Sequence, residues 1–231
     1  MRYTCLMKKY IVANWKSNKN LSEAEQWLQE ATLINASKET EVIIAPPFPL
    51  LGVLHTSTLF TEKKLQLAVQ TISPYPAGSY TGAVSTRNLV GLDVSYALVG
   101  HSERRVHFKE SDSDVARQVE QLIEVGIAPI VCVDEPSIIS QASALRESDL
   151  SKVIVAFEPL SAIGTGSRAD VGLVGRVRDK IHAVFGSVPV LYGGSVDGHN
   201  AGEYLLVCEG VLVGGASLDA RSFREIIDRV E

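Results

Sequence analysis

Cysteine is scarce and scattered in this chain, with only Cys5, Cys132 and Cys208 among 231 residues. An odd set without paired spacing excludes a disulfide framework and a zinc cluster, and it points to reduced thiols. No apolar run reaches the roughly 18 residues that cross a bilayer, so no membrane partner is expected. The N-terminus, Met1-Arg-Tyr-Thr-Cys-Leu-Met-Lys-Lys9, lacks the hydrophobic core of a signal peptide, and a cytoplasmic protein is expected. Basic residues are outnumbered as well: Lys and Arg total 22 against 27 Asp and Glu, a net charge of −5. With no basic run, the sequence argues against nucleic acid as a partner. Any anionic substrate must therefore be held by local groups. No linker or low-complexity stretch divides the chain, so a single domain is expected.

What the sequence does contain is one pattern, repeated. Short apolar runs stand at Tyr10–Ala13, Val42–Ala45, Leu65–Val69, Tyr96–Val99, Ala128–Val133, Val153–Phe157, Val188–Leu191 and Val211–Val213. Runs apolar at nearly every position, Gln66 being the exception, suit strands buried on both faces. Helical spacing of apolar residues falls between most of them. Ser22–Ile34 carries Leu21, Trp27, Leu28, Ala31 and Leu33 on one broad face. Asp114–Val125 carries Val115, Val119, Leu122 and Ile123. Val171–Phe185 and Ser217–Val230 read alike, the last with Leu218, Phe223, Ile226, Ile227 and Val230 as its stripe. Alternating strands and helices call for a parallel sheet with right-handed crossovers. Eight units predict an α/β fold, a single-domain (β/α)8 barrel, with an open doubly wound sheet as the alternative.

Such a barrel places its chemistry at the C-terminal ends of the strands. The sixth run ends in Phe157-Glu158-Pro159. Glu158 would stand at the barrel mouth, and Pro159, lacking an N–H, stops the strand there. A small, glycine-ended loop follows, Leu160-Ser-Ala-Ile-Gly-Thr-Gly166, of the kind that can close over a base and exclude water. The first run ends in Asn14-Trp15-Lys16, whose alternation puts Asn14 and Lys16 on one side. A lysine at a strand end is ordinarily just solvated. The fourth ends in Gly100-His101-Ser102-Glu103-Arg104-Arg105. His101 begins a short helical turn, and the positive end of a helix disfavours imidazolium, so a neutral donor is expected. A histidine there is as often structural.

The last two runs end in Tyr192-Gly193-Gly194-Ser195 and Val213-Gly214-Gly215-Ala216. Glycine pairs after the final two strands fit a phosphate cradle, because backbone N–H groups can approach the oxygens closely. Single pairs are ordinary turns; two in succession are a pattern. Gly164-Thr-Gly166-Ser-Arg-Ala169 loosely imitates a dinucleotide fingerprint, but it does not follow a first strand directly and is rejected.

Taken in order, Asn14-Trp-Lys16, Val99-Gly-His-Ser-Glu-Arg-Arg105, Ala156-Phe-Glu-Pro159, Ala162-Ile-Gly-Thr-Gly166, Tyr192-Gly-Gly-Ser-Val196 and Leu212-Val-Gly-Gly-Ala-Ser217 closely resemble the triosephosphate isomerase family. The resemblance runs from about Lys9 to Val230. It implies interconversion of dihydroxyacetone phosphate and D-glyceraldehyde 3-phosphate through an enediolate, in glycolysis and gluconeogenesis. It implies Glu158 as the base, His101 as the electrophile, Lys16 as a positive charge near the substrate, and Asn14 as a substrate contact. Ser102 and Glu103 would support them. Gly164, Ser195, Gly214 and Gly215 would bind phosphate through backbone N–H groups, and residues 162–169 would form most of a lid contacting Tyr192 and Ser195. Neither cofactor nor metal is implied. A homodimer is implied, through the loop Gln70-Thr71 and Gly78-Ser-Tyr-Thr-Gly82, with Thr81 at its tip. The fold would begin at Met7 and span residues 7–231, leaving residues 1–6 as an extension.

The chain also departs from the family. Ser161 replaces an aromatic at the lid's first hinge. Ala83 replaces a glutamate in the third loop, which would leave Arg104 without a charge partner across the dimer. Asp134 replaces a glycine, and the segment from Glu135 to Val153 is short. Other phosphosugar barrels fit less well. A Schiff-base aldolase needs a lysine on a central strand, and the fourth to sixth runs have none. Metal-dependent epimerases need clustered His and Asp ligands, and only His101 is suitably placed. A non-catalytic barrel would be expected to lack Glu158, His101 or Lys16, and all three are present.

Overall fold

The computed structural model describes residues 8–62, 64–145, 148–159 and 168–230. The extension at 1–6, Cys5, and the lid positions Ser161 and Gly164 lie outside the described residues.

Eight parallel strands close into a barrel in chain order. They are β1 Lys9–Asn14, β2 Thr40–Ala45, β3 Gln66–Val69, β4 Val94–Val99, β5 Ala128–Val133, β6 Ile154–Phe157, β7 Val190–Tyr192 and β8 Gly210–Val213. Closure rather than an open sheet is decided at one seam, where β1 pairs with β2 on one side and β8 on the other. Gly210 makes that seam possible: a Cβ added there would lie 2.1 Å from the Tyr10 carbonyl oxygen.

Around the barrel, α1 Leu21–Ala31 follows β1, and α2 Phe48–Leu54 and α3 Thr58–Thr61 follow β2. After β4 come α4 Ser102–Phe108 and α5 Asp112–Glu124. Then α6 Ile138–Ala144, α7 Val171–Phe185, α8 Ala201–Leu205 and α9 Ala220–Ile227 follow β5 to β8 in turn. Alternation along each strand splits the core into two layers. Val12, Ile43, Leu98, Ile130, Leu191 and Leu212 fill the barrel interior. Ile11, Ile44, Val99, Val131, Val155 and Val211 face the helices. No helix among the described residues is long and apolar enough to cross a membrane.

Two helices differ from their sequence reading. The stretch from Ser217 to Val230 is not one helix. A 3₁₀ turn, Gly215–Leu218, precedes α9, and Asp219 between them caps α9 by accepting from the Ser222 N–H at 2.8 Å. An aspartate carboxylate satisfies an orphan amide better at an N-cap than inside a helix, so it starts a new helix rather than continuing the old one. Helix α1 ends at Ala31, and Leu21 and Leu33 are exposed. Its buried face is Ala24, Trp27 and Ala31, with Trp27 edge-on to Trp15 at 5.0 Å. The short segment after β5 still forms a helix, seven residues long, packed against α5. Cys132 and Cys208 are buried free thiols, and burial pushes the Cys208 thiol up to about 12.

Candidate active site

The strand ends gather the predicted residues into one cavity of about 290 Å³, lined by Asn14, Lys16, His101, Glu158, Ser195 and Gly214 among others. Gly215 lines it too. Glu158 is the first residue past β6 and is only 2 % exposed. A buried carboxylate needs donors. The His101 Nε2–H reaches Glu158 Oε1 at 2.8 Å, and the Ser102 N–H donates to Oε2 at 2.9 Å.

His101 caps α4, and its Nδ1 accepts from the Glu103 N–H at 3.2 Å. A ring nitrogen that accepts an amide proton carries none of its own, so the proton sits on Nε2, aimed at Glu158. The helix start thus fixes the tautomer. Ser102 contributes its backbone amide, while its hydroxyl is buried without a partner among the described residues. Glu103 contributes both its amide to His101 and its carboxylate to Lys16, whose Nζ lies 2.5 Å from Oε1.

Lys16 reaches the site by a route that strand alternation did not anticipate. β1 ends at Asn14, and Lys16 has a left-handed backbone, φ 51°. For a non-glycine residue that conformation costs about 1–2 kcal/mol. It is held by three bonds: the Lys16 N–H to Asn14 Oδ1 at 3.0 Å, and the Gln70 side-chain amide to the Lys16 carbonyl at 2.8 Å and the Ala45 carbonyl at 2.9 Å. Gln70 was noticed in the sequence only as part of the third loop. In the structure it ties the ends of β1 and β2 behind the lysine.

The glycine pairs have separate tasks. A Cβ on Gly193 would come within 3.1 Å of Glu158 Cγ, so this glycine makes room for the carboxylate. A Cβ on Gly194 would fall 2.1 Å from the Tyr192 hydroxyl. At Gly214 the nearest atom would be Lys16 Cε at 3.5 Å, and at Gly215 the space is open. The second pair therefore borders free cavity, while the first is packed against side chains. Both the N–H and the hydroxyl of Ser217 donate to the Gly214 carbonyl, at 2.9 and 2.7 Å, and fix that turn. Tyr192 accepts from the Ala169 N–H at 3.2 Å, and Tyr204, stacked on it at 3.9 Å, donates to the Ala169 carbonyl at 2.8 Å. Gly164 lies outside the described residues, as does Ser161.

Arg104 is not short of a carboxylate. Its Nε donates to Glu110 Oε1 at 3.0 Å within the same chain. Glu110 also accepts from the Gly100 N–H and the Gln118 side chain. In the sequence Glu110 reads as one acid in a polar run, and nothing local distinguishes it from a solvated charge.

Comparison with known proteins gives one answer. A family model described as triosephosphate isomerase matches residues 9–230. A triosephosphate isomerase of Mesomycoplasma hyopneumoniae (strain 7448) is 36 % identical over 242 residues, covering 96 % of this chain and 99 % of the relative. One from Gloeobacter violaceus is 35 % identical over 241 residues, covering 96 % and 99 %. One from Thermus thermophilus is 34 % identical over 248 residues, covering 96 % and 98 %.

Proposed function

We infer the chemistry of this site from one premise: the chain belongs to the triosephosphate isomerase family, and it interconverts dihydroxyacetone phosphate and D-glyceraldehyde 3-phosphate. The observation that carries the division of labour is the buried Glu158 carboxylate, held by the neutral His101 ring and the Ser102 amide in a cavity shared with Lys16.

We propose that the substrate carbonyl oxygen takes the place of Glu158 Oε1 as acceptor of the His101 Nε2–H. One exchange then does two things. It polarises the carbonyl, and it frees a carboxylate oxygen to act as base. Glu158 removes the proton from the carbon beside the carbonyl, the electron pair moves into the enediolate, and the oxygen charge is met by His101 and the Lys16 ammonium. The hydroxyl proton passes from one oxygen to the other by way of the His101 Nε2, and the same carboxyl returns its proton to the neighbouring carbon, so no external acid or base is consumed. Asn14 sits beside Lys16 as a substrate contact, and Ser102 and Glu103 hold the base and the two cationic or donor groups in place. The phosphate would lie against Ser195, Gly214 and Gly215, and the open space at Gly215 supports that assignment. Gly164 belongs to the same proposal by resemblance. A cytoplasmic location goes with this reading.

The test is a coupled isomerase assay on the purified chain, run in deuterated water. Isomerisation with deuterium appearing at the carbon beside the carbonyl is expected. Absence of either would overturn the proposal.

We also propose a homodimer through the loop around Thr81. Tyr75 and Tyr80 stack at 4.8 Å and are exposed, as are Val106 and Phe108 on α4, and these apolar groups favour burial against a second copy. Breaking a buried pair by removing one partner costs about 3–5 kcal/mol because it strands a charge. Arg104 has Glu110, so that penalty does not fall on Ala83. Restoring an acid with Ala83→Glu is therefore expected to change the dimer Kd less than about tenfold, roughly 1.4 kcal/mol. Sedimentation equilibrium decides it, and a larger tightening would show that Arg104 lacks a partner.

A further inference from the structure

Behind the site lies a partly buried polar network that none of the residues above explains. Its centre is Arg105 on α4. The Arg105 Nε donates to the Gly100 carbonyl at 2.8 Å. Its Nη1 donates to Asp112 at 2.6 Å, and its Nη2 donates to Gln141 Oε1 at 2.6 Å. Gln141, on α6, is completely buried, and its own Nε2 donates to the Asp112 carbonyl at 3.3 Å. A fully buried amide that meets both an arginine and a backbone carbonyl is specifically placed.

The consequence runs to His101. Gly100 immediately precedes it, in a left-handed conformation with φ 68°. Its N–H is bound by Glu110 and its C=O by Arg105. A Cβ here would come within 2.8 Å of Arg105 Nη2 and 2.9 Å of Val115 Cγ2, so the guanidinium is pressed against this backbone. The Gly100 carbonyl belongs to the peptide that leads into His101. Whatever sets the guanidinium plane therefore sets how His101 enters α4. Without Gln141, Nη2 would retain, among the described residues, the Cys132 carbonyl at 3.5 Å, at the long limit of a hydrogen bond. The guanidinium fork would then be fixed along two of its three directions.

We propose that Gln141 is a positioning residue for the isomerase reaction: through Arg105 and Gly100 it orients His101 toward the substrate carbonyl. The inference rests on the role given to His101 above. It also assigns a task to the short segment after β5. Its seven-residue helix supplies one buried acceptor to the back of the catalytic turn.

Gln141→Met keeps length and apolar bulk but removes the acceptor. Its kcat is expected to fall roughly tenfold, since small misplacements of a catalytic group are costly, with KM within about twofold. Gln141→Glu retains an acceptor for Arg105 and is expected to recover kcat to within about threefold of wild type. Ile138→Val, on the same helix, is expected to lower Tm slightly and leave kcat alone. The ring-nitrogen NMR signals of His101 give a readout independent of turnover. They should shift in Gln141→Met, return in Gln141→Glu, and stay in place in Ile138→Val. If Gln141→Met fails to fold, Gln141→Glu with wild-type kcat and ring signals would still support the proposal, and Gln141→Glu with depressed kcat and shifted ring signals would overturn it. An active wild type with kcat and ring signals unaltered in Gln141→Met would overturn this inference alone. A wild type inactive on triose phosphate would overturn the proposed function as well.

Discussion

Glu158→Gln is expected to lose about 10²–10⁴-fold in kcat, the usual contribution of a positioned general base. The amide keeps the shape of the side chain and cannot accept the proton. Its effect on the resting site follows from the donors. Glu158 receives two, the His101 Nε2–H at 2.8 Å and the Ser102 N–H at 2.9 Å. A glutamine has one acceptor oxygen, so one donor will face an NH₂ group. An unsatisfied buried donor costs about 1–3 kcal/mol, and stability should fall by that order while the barrel persists. Steady-state kinetics with circular dichroism on the same preparation separates the two effects. A folded variant retaining more than about a tenth of wild-type kcat would remove Glu158 from the role of base.

The second large effect is expected at Lys16. Lys16→Met removes the ammonium that faces the developing enediolate, and loss of one such electrostatic stabiliser costs about 10²–10³-fold in rate. Stability should change little. The Lys16–Glu103 pair is partly exposed, with side-chain accessibilities of 28 % and 42 %, and pairs of that kind contribute roughly 0–1 kcal/mol. The backbone bonds that hold the left-handed turn come from Asn14 and Gln70 and do not involve the ammonium. The activity loss should therefore appear without a comparable fall in Tm. A Lys16→Met variant with kcat/KM within about fivefold of wild type would show that the charge is not used in the transition state.

Both variants concern residues that the sequence exposed directly, and there is a physical reason. A parallel barrel buries its strands on both faces, so each strand reads as an apolar run over most of its length. The chemistry must then stand where the runs stop. Asn14, His101, Glu158 and the glycine pairs are each found within two residues of such a stop. Helix α7 keeps the bounds its apolar pattern gives, Val171–Phe185, and in the structure Asp170 caps it and Gly186 ends it.

Tertiary structure decided the rest. Alternation along a strand could not say that Lys16 turns left-handed, because two of the three bonds that hold the turn come from Gln70, 54 positions from Lys16. Ser217–Val230 reads as one apolar stripe, and the division within it is local, a cap by Asp219 on the Ser222 N–H that an apolar pattern does not record. In the sequence Gly193 and Gly194 read as part of a phosphate cradle, but their particular demands come from Glu158 and the Tyr192 phenol, which the fold presses against them. The same holds for charge. Glu110, Arg105 and Gln141 look like ordinary polar residues of exposed turns and helices. Glu110 meets Arg104, and Arg105 meets Gln141, because of how the elements behind β4 pack, and a side chain's partner across 6 to 36 positions is set by that packing. The local pattern of apolar residues was enough to specify the barrel and its strand ends; which polar groups meet behind them depended on the relative placement of helices that no local pattern records.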